Sequence, residues 1–185
     1  MAYAGQVIEN PLSGERITFR QTAADTDGEL LAIDLDLNPD GHVPGMHVHP
    51  IQEERFEVTK GTMRFKMGAK KVTAKPGDVV VVPPGVRHKF ANAGGEEAHA
   101  RVEVRPALRM EELFETTTAL AHEGRTTRKG LPKPLDLALF VREFEQEVQG
   151  AFPPVWIQRA ALAPLAWLAR KRGHAARYRS EPAIA

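Results

Sequence analysis

Hydrophobic and polar residues alternate with a period of two through the N-terminal part of this chain. Leu31, Ile33, Leu35 and Leu37 alternate with Ala32, Asp34 and Asp36, and Met63, Phe65 and Met67 with Arg64 and Lys66. Ile17 and Phe19 alternate with Arg16, Thr18 and Arg20, and Val102 and Val104 with Arg101, Glu103 and Arg105. A strand turns successive side chains to opposite faces, so each run predicts a strand with one buried face. Val79 to Val82 is a solid apolar run of strand type. Turn signals separate these runs at Asn38-Pro39-Asp40-Gly41, Lys60-Gly61, Pro76-Gly77-Asp78, Pro83-Pro84-Gly85 and Gly94-Gly95. Many short strands so punctuated predict a β-sandwich or β-barrel.

After Pro106 the texture changes to helical spacing. Residues 109–121 place Leu113, Thr117 and Leu120 on one side, and residues 135–149 place Leu137, Phe140, Phe144 and Val148 on another. Leu131-Pro132-Lys133-Pro134 reads as the linker between them. A last helical stretch runs from Val155 to Arg172, with Pro164 expected to break or restart it. Its apolar residues, Trp156 among them, are expected to be buried against barrel strands, the chain's own or those of a partner subunit, with Arg170, Lys171 and Arg172 left in water. The expected organisation is a β-barrel over residues 1–107 and a helical extension over 108–185.

Composition narrows the chemistry. Among the 185 residues, 25 Lys and Arg stand against 24 Asp and Glu, so no global charge favours nucleic acid. From Ala151 onward, however, six basic residues face a single Glu181. There is no cysteine, so any metal must be held by nitrogen and oxygen. No basic start with an apolar run marks a signal peptide, and no apolar stretch reaches the roughly 20 residues of a membrane span. The expectation is a soluble, cytoplasmic protein.

Candidate chemistry gathers in the turn-rich middle. His47 and His49 stand two apart, so on a strand both imidazoles point to one face. In Glu53-Glu54, Glu54 is in phase with the apolar Phe56 and Val58, whereas Glu53 is in phase with Arg55 and Glu57. Glu54 is therefore assigned inward. His88 begins a later strand with Phe90 on its face. Three imidazoles and a carboxylate suit a divalent transition metal: iron, manganese, nickel, cobalt, copper or zinc. His42 reads as a rim or loop residue, and His99, His122 and His174 have no partner in sequence.

These residues fall into two spaced motifs. Gly41, His47, His49, Glu54 and Gly61 follow the pattern G, five residues, HxH, four residues, E, six residues, G. Gly77, Pro83, Gly85, His88 and Asn92 follow G, five residues, PxG, two residues, H, three residues, N. In both, over residues 41–61 and 77–92, the chain resembles a small single-domain cupin. The resemblance implies an antiparallel jelly-roll β-barrel, mainly β in class, followed here by C-terminal α-helices that have no place in it. It also implies one divalent metal ion held by His47, His49, Glu54 and His88.

The function expected from this is a small-molecule metalloenzyme, dioxygenase-like as first subclass. A non-catalytic cupin that binds or senses a small ligand is the alternative, and a sugar isomerase or epimerase a further one. The expected partners are a small-molecule substrate or ligand and a second copy in a homodimer, with no nucleic acid and no membrane span.

Overall fold

The computed structural model describes residues 2–175. Ten strands come first: β1 (Val7–Asn10), β2 (Glu15–Gln21), β3 (Leu31–Leu37), β4 (His47–Val48), β5 (Glu53–Lys60), β6 (Met63–Met67), β7 (Lys70–Ala74), β8 (Val79–Val82), β9 (His88–Asn92) and β10 (Ala98–Arg105). Then follow α1 (Met110–His122), α2 (Pro134–Glu143), the short strand β11 (Gln149–Gly150) and α3 (Val155–Lys171). The strands form two antiparallel sheets, β1-β2-β3-β10-β5-β8 and β11-β4-β9-β6-β7. The alternation and the turn spacing predict a sandwich or barrel, and the jelly roll is the form that the family resemblance implies.

The alternating residues fill the space between the sheets. Leu31, Ile33, Leu35 and Leu37 are buried from one sheet, and Met63, Phe65 and Phe90 from the other. Phe56 bridges the two, its ring 5.1 Å from Phe65 and 5.1 Å from Phe90. Each such side chain contributes roughly 1.5–3 kcal/mol by leaving water. β8 departs from the apolar reading of its sequence. Its successive side chains point to opposite faces, so Val80 and Val82 are buried between the sheets while Val79 and Val81 face outward.

Turn residues lock the register around this core. Gly61 has φ +71°, and a Cβ there would lie 2.8 Å from both Ala98 Cα and Glu97 O. A Cβ at Gly41 would lie 2.9 Å from Asn38 O. Both positions therefore need the missing side chain. Asn92, buried at the end of β9, directs its amide NH₂ at the carbonyls of Leu37, Asn38 and Glu96 and accepts the Gly94 N–H. The motif asparagine is thus a clasp between two turns.

The extension is built partly into this core. Met110 and Leu113 of α1, Phe140 of α2 and Phe144 just beyond it join the same apolar cluster as the strands. α2 starts on Pro134, whose missing N–H costs nothing in a first turn. It ends at Glu143, short of the helix expected to 149, because the chain there leaves for β11, which pairs with β4.

α3 corrects one expectation. It continues through Pro164, because Pro164 and Ala160, whose carbonyl loses its donor, both lie on the exposed side. Within the chain it rests on α2 and not on the chain's own strands, with Ala166 and Ala169 against Ala138 and Leu139. Trp156 and Trp167, eleven residues apart, share one side of a helix that turns about 100° per residue, roughly 100° from Ala166. They are 68% and 58% exposed in the single chain, so Trp156 is not buried against the chain's own barrel. Arg170, Lys171 and Arg172 are exposed, as the sequence suggests. Arg177, Arg179 and Glu181 lie outside the described residues. Among the described residues, no helix is long and apolar enough to cross a membrane.

Candidate metal centre

His47 in β4 stands in register opposite His88 in β9. His49 follows β4 directly, and Glu54 reaches in from β5 of the facing sheet. The two sheets thus bring together the four residues singled out in the sequence. One ligand-type atom from each lies within 4.8 Å of the others, a grouping that could hold a metal ion. The ring centroids of His47 and His88 are 4.2 Å apart, and those of His47 and His49 4.9 Å. His49, Glu54 and His88 are buried, and His47 is half-buried. Glu53 is exposed, so the phase assignment within the Glu53-Glu54 pair holds.

Each imidazole is held by its far nitrogen. The Nδ1 atoms of His47 and His88 lie 3.0 Å from the carbonyls of Gly45 and Val86, and that of His49 bonds the carbonyl of Glu147. A carbonyl only accepts, so Nδ1 carries the proton in all three rings. The Nε2 lone pairs are thereby turned to the centre.

The centre itself is electrostatically unsettled. His88 Nε2 lies 2.7 Å from Glu54 Oε2, and His49 Nε2 lies 3.4 Å from Glu54 Oε1. Yet His49 Nε2, His88 Nε2 and Glu54 Oε2 have no aligned hydrogen-bond partner among the described residues. Buried polar atoms are normally satisfied. Removal from water, then the neighbouring His49 and His88, hold the His47 imidazolium down at about 3. Burial alone would raise the Glu54 carboxyl, but the three imidazoles outweigh it and hold it at about 2. Burial likewise opposes the charge of His88, but the Glu54 carboxylate prevails and its pKa is raised. Three Nε2 atoms with anchored Nδ1 protons, and an ionised carboxylate among them, fit a divalent cation bound through nitrogen and oxygen.

Two residues beside this group escape a reading of the sequence. Gln52 is fully buried and donates from Nε2 to the carbonyls of Pro106 and Ala107, tying the start of β5 to the end of β10. Its shared phase with Glu54 was an available signal. Glu147 lies 98 residues beyond His49, and nothing local announces it. The remaining histidines do not join the four. His42 Nδ1 meets Asp40 O, His99 pairs with Asp36 and Glu97, His122 Nε2 with Glu9 O, and His174 with Asp136.

The fold and site together define a class: a double-sheeted jelly roll with three inward histidines and a glutamate that could hold one ion between its sheets. Residues 34–104 match the family model of the cupin domain, so this stretch of the chain is similar to that family. Over 73 residues it is 44% identical to germin-like protein subfamily 3 member 1 of Arabidopsis thaliana. That stretch is 37% of this chain and 35% of the germin-like protein, so the chain spans about a third of the length of that curated relative. Among solved structures, a predicted oxalate decarboxylase from Thermotoga maritima is similar at 22% identity and a TM-score of 0.49, over 55% of this chain and 90% of that one. A sugar phosphate isomerase from Silicibacter pomeroyi is similar at 22% identity and a TM-score of 0.44, over 51% and 60%.

Proposed function

We propose that this cupin binds one divalent transition metal ion through His47, His49, Glu54 and His88 and uses it to transform a small oxygen-bearing molecule, in an oxygenase-type reaction. The observation that carries the reading is the set of inward Nε2 atoms with Nδ1 pinned to carbonyls. When bound, the metal would supply a Lewis acid and, as iron, a redox centre. The chain's own part is to hold the three imidazoles with Nε2 toward the centre, to supply one negative charge from Glu54, and to exclude water. The apolar side chains of Met63, Phe65 and Phe90 dry the space between the sheets. His47 is the half-buried member, so the way in from solvent lies on its side.

A second reading, a non-catalytic cupin that sequesters a small ligand, draws support from the burial of three of the four donors. A dimer belongs to the proposal as well, with exposed Trp156 and Trp167 offering apolar surface. Sedimentation velocity tests it directly.

The deciding experiment is metal analysis of protein purified without an affinity metal, followed by oxygen uptake with a panel of phenols and diketones. One ion per chain, lost in His49→Ala without loss of fold, is the expected result. Full metal content in that variant would mean the wrong residues have been named. Stoichiometric metal with no turnover, but with saturable ligand binding, would favour the sequestering reading.

A further inference from the structure

Of the three imidazoles, two are oriented by their own stretch of chain. The carbonyls that hold His47 and His88 belong to residues two positions earlier, Gly45 and Val86. His49 is different, because its Nδ1–H is taken by the carbonyl of Glu147, in the extension between α2 and β11.

The segment carrying that carbonyl is anchored on both sides. Toward α2, the Phe144 carbonyl accepts the N–H groups of Glu147 and Val148, and Phe144 is buried in the main core. The buried Glu147 carboxylate accepts the backbone N–H of Arg109 at 3.2 Å, at the start of α1. Arg109 in turn pairs with Glu112 and Glu143 and sets its guanidinium 5.3 Å from the Phe144 ring centre. Toward β4, Gln149 pairs with Val48 and Gly150 with His47, and the Ala151 N–H reaches Met46 O.

We infer that Glu147 is a positioning residue: its side chain fastens the extension to the start of α1 so that its carbonyl holds His49 with Nε2 toward the centre. Docking of residues 144–151 and occupancy of the metal site are then linked. A metal that binds the docked form more tightly must stabilise docking by the same factor. The linkage rests on the metal reading above; the orientation of His49 does not.

The test uses the full chain and the variants Glu147→Ala and Glu147→Gln. In the metal-free protein, long-range proton–nitrogen NMR should show His49 as a single Nδ1–H tautomer. That signature should blur in Glu147→Ala, with His47 and His88 unchanged, and return in Glu147→Gln, whose amide oxygen can still accept the Arg109 N–H. Titration with Co²⁺, read by its visible absorption, should give a Kd about tenfold weaker for Glu147→Ala, at the lower end of the loss usual for removing a partner behind a metal ligand, and near wild type for Glu147→Gln. An unchanged His49 tautomer and unchanged Co²⁺ affinity in Glu147→Ala would overturn the inference. Wild-type protein that shows the tautomer but takes up no Co²⁺ would overturn the metal reading and leave the positioning role standing. Should Glu147→Ala fail to fold, amide exchange in the wild type decides. Co²⁺ should slow exchange across residues 147–151, and no slowing in a protein that binds Co²⁺ would overturn the linkage.

Discussion

Glu54 Oε2 lies 2.7 Å from His88 Nε2, although the two residues stand on strands of different sheets, β5 and β9. The contact joins the halves of the jelly roll through charge instead of through packing. Without metal, the raised pKa of His88 places a proton where an ion would sit.

Metal binding should therefore release a proton. At pH 6, His88 is protonated because its pKa is raised above 6.5, whereas His47, held at about 3, is already neutral. A ligand must be deprotonated to bind, so affinity should rise as pH rises through the His88 value. Calorimetry in buffers of different ionisation enthalpy should show proton release at pH 6 that fades as pH rises. A heat of binding independent of buffer at pH 6 would contradict this.

Phe56→Ala should cost about 3–5 kcal/mol, the usual range for emptying a buried phenylalanine site. Phe56 is 1% exposed and touches Phe65 and Phe90 on the opposite sheet, so neither neighbour can fill the gap without leaving its own strand register. Urea denaturation followed by circular dichroism measures it.

Gly61→Ala should destabilise by more than about 1 kcal/mol. Two penalties coincide there, a φ of +71° and a Cβ lying 2.8 Å from the backbone of residues 97 and 98. Thermal unfolding of the variant should show a clear drop in Tm, while Gly68→Ala, with φ +56° but nothing within 4 Å, should fall less.

Glu15→Gln should stabilise the protein in base and not in acid. Removal from water, against the pull of His42, pushes the Glu15 carboxyl up to about 7 from 4.5. The folded state thus favours the protonated form, and that stability is complete below pH 4.5 and lost as pH rises through 7. The variant's Tm should exceed that of the wild type at pH 8.5 and match it at pH 4.

Removing residues 131–185 should cause aggregation or a lower Tm. Phe140 and Phe144 belong to the main core, and their loss would open the apolar cluster they share with the strands, Met110 and Leu113. A truncated protein with unchanged Tm and solubility would show that this packing contributes little.

Short-range periodicity made most of the barrel legible. Leu31 to Leu37 could be only a strand with one dry face, and Glu54 could be separated from Glu53 because a strand's two faces alternate without drift. The spacing of His47, His49 and His88 survived because motif turns such as those at Gly61 and Asn92 carry backbone requirements visible as residue identity. The same logic failed at the C-terminal end. Helical spacing says which residues share a face, but not which neighbour that face meets. Trp156 thus lies off the face that Ala166 and Ala169 bury against α2.

What the chain determined by itself is local: the alternation of faces, the turns that demand glycine, and the four side chains suited to an ion. Tertiary structure alone decided that Glu147, remote in sequence and unremarkable in its surroundings, lends its carbonyl to His49. A backbone carbonyl is common to every residue, so its choice of partner leaves no mark on side-chain identity. It is set by where α1, α2 and β11 come to rest on the sheets.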